Sequence, residues 1–173
     1  MDQATATEQT EQAVAPLRDE LDRLTNLYVA TSRLHESLDR GEVLRAIQEI
    51  IINLLGSEEL AVFELSEDGS ALELVDSFGV EEKKFKRISM TGSQIGKVAQ
   101  SGQSVEGKEG LTACVPLMLG DHAVGAVAVF SLLPQKKADG LQQTDRELLE
   151  LLRAQAGLAL YCTRLVKKRA ENP

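Results

Sequence analysis

Residues 111–133 read LTACVPLMLGDHAVGAVAVFSLL, and this stretch decides the fold. Two strongly apolar runs, 111–119 and 123–133, flank the tripeptide Gly-Asp-His at 120–122, whose residue types favour a tight turn. The runs contain little polar alternation, which is typical of strands that are buried on both faces. The stretch therefore predicts a β-hairpin at the centre of a sheet that is covered on both sides.

Upstream of this hairpin, the sequence predicts a second hairpin and a short helix. Residues 60–65 and 71–78 are rich in apolar side chains and flank a Ser-Glu-Asp-Gly turn. Ser93 is a plausible N-cap for a short helix that Gly102 ends. The charged segment 81–88 matches no element.

Three longer helices flank these elements. The first is predicted from Pro16, because apolar residues recur after it at spacings of three and four. The second follows the N-cap Asp39 and stops at Gly56, and the last begins after Thr144 or Asp145. Runs of strands between helices favour an antiparallel α+β domain over a parallel nucleotide-binding sheet.

The composition predicts one domain with polar ends. Residues 1–15 lack apolar periodicity and are expected to form a disordered tail, residues 16–168 a single domain, and residues 169–173 a flexible C-terminus. The 173 residues carry 19 basic and 27 acidic side chains, a net charge of -8, which argues against a nucleic-acid partner. No apolar run is long enough to span a membrane, and the N-terminus does not have the pattern of a signal peptide. We therefore expect a cytoplasmic protein.

The central hairpin and its neighbours resemble the GAF domain family. The resemblance rests on Val115-Pro116-Leu117, Gly120-Asp121 and the run Val124–Val129, which are similar to the paired central strands of that family. Residues 92–105 are similar to its glycine-flanked short helix and edge strand, and the pattern after Asp145 to its closing helix. The resemblance implies a GAF-like antiparallel sheet of five to six strands with the long N- and C-terminal helices packed on one face. The helix and strand order alone also fits a Roadblock domain, another fold of the profilin-like group, but the extra elements and the hairpin from Pro-Leu to Val-Gly favour the GAF family.

On the other face, loops of many family members enclose a small ligand, and this chain departs from the family there. Only Glu-Gly-Lys-Glu-Gly at 106–110 separates Val105 from Leu111, where many members carry a long lid. The Asn-Lys pattern of cyclic-nucleotide binders is missing after Phe130, and Cys114 lies within a strand rather than at a bilin-attachment position. Any ligand pocket is expected to be reduced and apolar; its candidate residues are Phe63, Phe78, Ile95 and Cys114.

Neither a catalytic site nor a metal or cofactor site is predicted. His35 and His122 are the only histidines, and Asp121-His122 at a turn has no nucleophile near it in sequence. The Gly92–Lys97 segment has the wrong spacing for a phosphate loop, and a capped helix explains it better. Both cysteines, Cys114 and Cys162, are interpreted as buried packing residues, so a methionine sulfoxide reductase, a GAF-like enzyme that uses several cysteines, is disfavoured.

In GAF proteins the terminal helices commonly pair across a two-fold axis, and the resemblance implies the same here. The leucine repeat of both helices suits a four-helix dimer bundle. The expected interface residues are Leu17, Leu21, Leu24, Tyr28, Leu148, Leu152, Leu158 and Leu165. We therefore expect a stand-alone, non-catalytic signalling module that homodimerises and binds another signalling protein in trans. The alternative is a sensor that binds a small molecule in the reduced pocket.

Overall fold

A computed structural model describes residues 3–172, with side chains over residues 7–172. Its centre is a six-stranded antiparallel sheet in the order β3-β2-β1-β6-β5-β4. The strands are β1 Ser57–Leu65, β2 Ala71–Phe78, β3 Arg87–Ser89, β4 Val105–Lys108, β5 Leu111–Leu119 and β6 His122–Leu132. The predicted central hairpin is confirmed: β5 and β6 are interior strands, and their registered pairs include Val115 with Val127.

Helices precede, interrupt and follow the sheet. They are α1 Gln3–His35, α2 Arg40–Glu49, α3 Gln94–Ser101, α4 Pro134–Lys137, α5 Gln143–Leu151 and α6 Gly157–Glu171. A π-helical turn, Ile50–Leu55, continues α2, and a second one, Leu152–Ala156, joins α5 to α6. The last three pieces of helix, from 143 to 171, thus form one unbroken C-terminal helix.

The two faces of the sheet are buried by different helices. On the first face, α1, α2, α5 and α6 pack on a large apolar cluster that includes Leu34, Ile47 and Leu152. On the second face, α3 covers a smaller cluster around Phe63 and Val98. Burial on both faces is why β5 and β6 are continuously apolar. The predicted α+β architecture, with the terminal helices on one face, is confirmed.

The central strands approach each other too closely for larger side chains at one position. Gly125 in β6 lies opposite Glu64 of β1. A Cβ atom on Gly125 would lie 2.1 Å from the carbonyl oxygen of Phe63. Only glycine fits this contact, which keeps the two middle strands in register.

A bulge changes which face the end of β2 presents. Phe63 pairs with Leu74 but Val62 pairs with Asp76, so Val75 is the extra residue. Before the bulge, Leu74 packs on the α3 side; after it, Phe78 lies opposite Leu60, which belongs to the cluster on the helical side. Directly paired residues point to the same face. The bulge therefore turns Phe78 away from the α3 side.

Helix ends follow the predicted capping in two cases. Asp39 accepts a hydrogen bond from the Glu42 amide at 3.0 Å, and Ser93 accepts one from the Gly96 amide at 3.0 Å. Gly102, with φ of 68°, ends α3 in the left-handed conformation that glycine favours. For α5, the N-cap is Gln142 rather than Thr144, and Asp145 completes a capping box with it.

The first helix is longer than predicted. It begins at Gln3 and includes Pro16 in its interior, whereas the sequence led us to expect disorder over residues 1–15; residues 1 and 2 lie outside the described residues. Ala, Gln and Glu dominate this segment and have high intrinsic helix propensity, which the absence of apolar periodicity conceals. Helix α6 likewise extends to Glu171, beyond the predicted domain end at 168.

A buried ion pair fixes the start of the C-terminal helix. The ammonium of Lys136 in α4 contacts the Asp145 carboxylate, whose side chain is only 4% exposed, and donates to the carbonyl of Leu55 at 2.5 Å. The other oxygen of Asp145 accepts the Gln142 amide at 2.7 Å. One lysine therefore joins α4, the end of the first π turn and the N-terminus of α5.

Candidate functional site

The structure brings three of the four predicted pocket residues together. Phe63, Ile95 and Cys114 are buried in the cluster beneath α3. Phe78 is not among them: it is 47% exposed and lies opposite Leu60, on the other face. The prediction that Phe78 shares a pocket with the other three is therefore wrong, for the reason given by the bulge.

Side chains fill the space between α3 and the sheet. Phe85 and Phe130 pack with ring centroids 5.0 Å apart, and both border the buried cluster. The segment that replaces a lid is mostly strand β4, which pairs with β5 up to Lys108 opposite Leu111. The side chain of Arg146 in α5 donates two hydrogen bonds to the carboxylate of Glu106 in β4, at 2.9 and 3.1 Å. The short lid is thus an ordered edge strand held by an ion pair.

Cys114 is an unreactive thiol by its environment. It is fully buried between β4 and β6, and this burial raises the pKa of its thiol to about 12. A nucleophilic cysteine needs a stabilised thiolate, which is the opposite condition. Cys162 is on α6 and is only partly buried. The prediction that both cysteines are buried is therefore confirmed for Cys114 alone.

Two clefts of the described surface lie near the rim of the α3 side, and others lie between helices on the opposite face. One, of about 670 Å³, is lined by the end of α3 and the turn of the central hairpin, including Met118 and the exposed His122. Another, of about 610 Å³, lies between β4 and the end of β6 and includes Phe130 and Arg146. Neither is lined by Phe63, Ile95 or Cys114. Across residues 3–172, acidic, cysteine and histidine side chains do not cluster as a metal site would require.

The predicted interface residues divide into two groups. Leu148 and Leu152 are 5% and 1% exposed and belong to the core, so their assignment to a surface is wrong. The rest are large apolar side chains in contact with solvent, with exposed fractions between 41% and 74%; they are Leu17, Leu21, Leu24, Tyr28, Leu158 and Leu165. Leucines of a core and leucines of an interface recur at the same helical spacing, so the sequence does not separate them. The π turn between residues 152 and 158 also rotates the later residues to a different side of the helix.

Helix α1 and the C-terminal helix run side by side in the same direction. Arg23 makes an ion pair with Glu147 at 2.6 Å, and further along both helices His35 is hydrogen-bonded to Gln155 at 3.0 Å. The residues of α1 that pack inwards are Leu27, Ala30 and Leu34. The exposed leucines occupy the neighbouring helical face.

Exposed and half-buried residues of the two helices form one line, which we call the seam. On α1 it follows alternating steps of four and three residues; its members are Leu17, Leu21, Leu24, Tyr28, Thr31 and His35. On the C-terminal helix it continues through Gln155, Leu158, Cys162 and Leu165. The two parts meet at the hydrogen bond between His35 and Gln155. The seam therefore crosses the outer surface of the helical layer.

The architecture is an α+β domain whose sheet carries a layer of long helices on one face and one short helix on the other. Within residues 3–172, every helix is too short or too polar to cross a membrane. The sequence profile described as "GAF domain" matches residues 39–162, most of the chain. The chain belongs to the GAF domain family.

Solved structures show the same fold at low identity. A methyl-accepting chemotaxis protein, residues 122 to 287, has 20% identity and a TM-score of 0.64 over 80% of this chain and 98% of its own. The GAF domain of an Acinetobacter phosphoenolpyruvate-protein phosphotransferase has 16% identity and a TM-score of 0.69 over 84% and 97%. Free methionine-R-sulfoxide reductase from Neisseria meningitidis, in complex with its substrate, has 16% identity and a TM-score of 0.58 over 81% and 89%. No curated protein sequence matches this chain.

Sequence reasoning missed several exposed apolar residues near the seam. Val29, Leu38 and Val166 are 45%, 60% and 47% exposed. Their hydrophobicity was visible, but helical periodicity alone assigns such residues to a core. Val29 and Val166 lie on helix faces that no other described element covers, and Leu38 lies in the loop after α1.

Proposed function

We propose that this GAF domain is a non-catalytic, cytoplasmic regulatory module that works as a homodimer and transmits its signal by contact with another signalling protein. The observation that supports the proposal is the seam. Tyr28, Leu17 and Leu24 are 74%, 69% and 49% exposed, at the spacing of a helix-pairing surface. Several large apolar side chains exposed in one line on neighbouring helices mark an interaction site.

The chemistry of the α3 side supports a non-catalytic role. The one cysteine beneath α3 is buried, and the raised pKa of the Cys114 thiol disfavours a thiolate. The reductase among the structural neighbours has the same fold. At 16% identity, this likeness is no evidence that the present chain shares the reductase activity. Incubation with free methionine sulfoxide and a thiol reductant should give no methionine; turnover would reject the non-catalytic role.

Native mass spectrometry of protein purified from its own host tests dimerisation and ligand content together. We expect the mass of two chains of 18.8 kDa. The variant Leu21→Glu with Leu24→Glu should shift the protein to a monomer, because each buried apolar contact would be replaced by a desolvated charge. A monomeric wild type at micromolar concentration would reject the proposal.

The control is Val29→Glu. Val29 is also exposed and apolar and lies on the same helix, but it is outside the repeat that defines the seam. It should leave the dimer unchanged, and circular dichroism of both variants should match the wild type. Equal loss of dimer in the control would place the interface elsewhere on α1.

The alternative function, a small-molecule sensor, has its own readout in the same spectrum. A retained ligand would add mass to each subunit. Because Phe63, Ile95 and Cys114 are packed without an opening among the clefts described above, binding would require α3 to move. A mass excess, together with thermal stabilisation by the released compound, would favour the sensor.

A further inference from the structure

We infer that the second copy docks antiparallel, so that the N-terminal part of α1 from one protomer lies along α6 of the other. This inference rests on the proposed homodimer and adds its geometry. It follows from three features of the seam. Its two ends project from the helical layer, the two ends carry opposite charge, and the leucines at each end are the same number of residues apart.

The two ends of the seam project from opposite ends of the helical layer. Because Arg23 lies at Glu147, four residues after the C-terminal helix begins at Gln143, the part of α1 before Asp19 extends past that start, and the segment 3–18 is about 24 Å long at 1.5 Å per residue. Because His35, the last residue of α1, lies at Gln155, α6 extends past the end of α1 in the other direction. Along these stretches α1 lacks the C-terminal helix beside its apolar stripe, and α6, which packs on α2, lacks α1.

The N-terminal part of α1 and helix α6 carry opposite charge. Segment 3–22 of α1 contains five carboxylates and one guanidinium; they are Glu8, Glu11, Asp19, Glu20, Asp22 and Arg18. Helix α6 contains four cations and one carboxylate; they are Arg164, Lys167, Lys168, Arg169 and Glu171. The intrachain pairs of these lysines, Lys168 with Glu67 at 3.6 Å and Lys167 with Glu171 at 3.8 Å, are exposed and therefore weak. A second copy is the partner whose charges complement both ends at once.

One antiparallel register satisfies both apolar stripes. The interval from Leu17 to Leu24 equals that from Leu158 to Leu165. When Leu17 lies opposite Leu165 of a second copy, Leu24 lies opposite that copy's Leu158. A two-fold axis near the middle of the seam then generates the same contacts a second time, as an isologous interface requires.

A parallel dimer would place like charges together. Two α1 helices side by side would bring their acidic segments into contact, and the two basic α6 ends would also be neighbours. Like-charge contacts oppose association and disfavour the wrong arrangement. The antiparallel arrangement converts both repulsive contacts into attractive ones.

Site-specific crosslinking with a short bis-maleimide distinguishes the two arrangements. The background variant is Cys162→Ser, which removes the reactive thiol within the seam, while Cys114 is fully buried. Leu17→Cys and Leu165→Cys are made in separate chains with different tags. In the antiparallel dimer, a Leu17→Cys chain crosslinks to a Leu165→Cys chain. Two Leu17→Cys chains do not crosslink to each other, because their position 17 residues are then about 40 Å apart at 1.5 Å per residue.

Each outcome decides between the proposals. Crosslinking of Leu17→Cys with Leu165→Cys supports the antiparallel dimer. Crosslinking of Leu17→Cys chains with one another overturns it but keeps the homodimer. A dimer by native mass that forms no crosslink also overturns it, whereas a monomer by native mass rejects the proposed homodimer itself.

Charge reversal gives an independent measurement that does not alter the apolar stripes. One variant changes Glu11, Asp19 and Asp22 to Lys, and another changes Arg164, Lys167 and Arg169 to Glu. Each alone should raise the dissociation constant at least about tenfold, and the chain that carries all six changes should recover the wild-type value, because opposite charges face each other again. Failure of the combined variant to recover overturns the antiparallel arrangement.

Discussion

Replacement of Lys136 by Met should destabilise the domain far more than an ordinary lysine replacement. The Asp145 carboxylate would lose its cation while its side chain stays 4% exposed, and the Leu55 carbonyl would lose a donor. Removing one partner of a buried ion pair costs about 3–5 kcal/mol. Because the side chain of Lys136 is itself 25% exposed, solvent compensates in part, and we expect about 2–4 kcal/mol.

Urea unfolding followed by circular dichroism at one fixed protein concentration measures this loss. The matched control is Lys84→Met, which removes an ion pair with Glu81 whose side chains are 69% and 61% exposed. We expect a loss below about 0.5 kcal/mol in the control. A change of about 3 kcal/mol in Lys136→Met would also lower Tm by roughly 6–12 °C for a chain of this size.

The double variant Lys136→Met with Asp145→Asn completes a thermodynamic cycle. The neutral amide of Asn no longer needs a cation, so the double variant should be more stable than the sum of the two single losses implies. Equal unfolding midpoints for Lys136→Met and Lys84→Met, or strictly additive losses, would refute the reasoning that this ion pair holds α4 and α5 together.

Two further predictions concern the interior of the sheet. Gly125→Ala should destabilise the domain by at least about 2 kcal/mol, because the new Cβ would overlap the Phe63 carbonyl. Gly69→Ala, at φ of 69° with open space around it, should cost only about 1 kcal/mol in the same denaturation assay. Thiol labelling of the folded protein at pH 8 should leave Cys114 unmodified, since burial raises the pKa of its thiol to about 12 and leaves almost no thiolate there. Both cysteines should react in denaturant, and rapid labelling of Cys114 in the folded protein would contradict its burial.

Local signals in the sequence predicted most elements and their ends. Asp39 and Ser93 cap helices as expected, and Gly56 and Gly102 end them in the left-handed conformation. Such signals act over a few residues, so one sequence is enough to identify them. Strand β3, by contrast, lies in the charged segment 81–88, and its three residues are too few to show a period.

The errors in the candidate site come from shifts of phase. One extra residue at Val75 turns Phe78 to the helical face, and period-two reasoning cannot locate a bulge without the partner strand. The π turn at Leu152–Ala156 similarly separates the buried Leu152 from the exposed Leu158. Leucine spacing predicts that a helix has an apolar face. Whether that face is buried in the core or exposed to solvent depends on where the other helices pack, which the spacing does not show.

The two edge strands have a consequence for the behaviour of the protein at high concentration. Both β3 and β4 are short, and their residues include Arg87, Glu106 and Lys108. A long, flat, uncharged edge is a template on which a foreign strand can add, and it leads to aggregation. An incoming strand at β3 or β4 could pair over only three or four residues and would bring its backbone against charged side chains. The two edge strands themselves are thereby poor templates for the growth of fibrils.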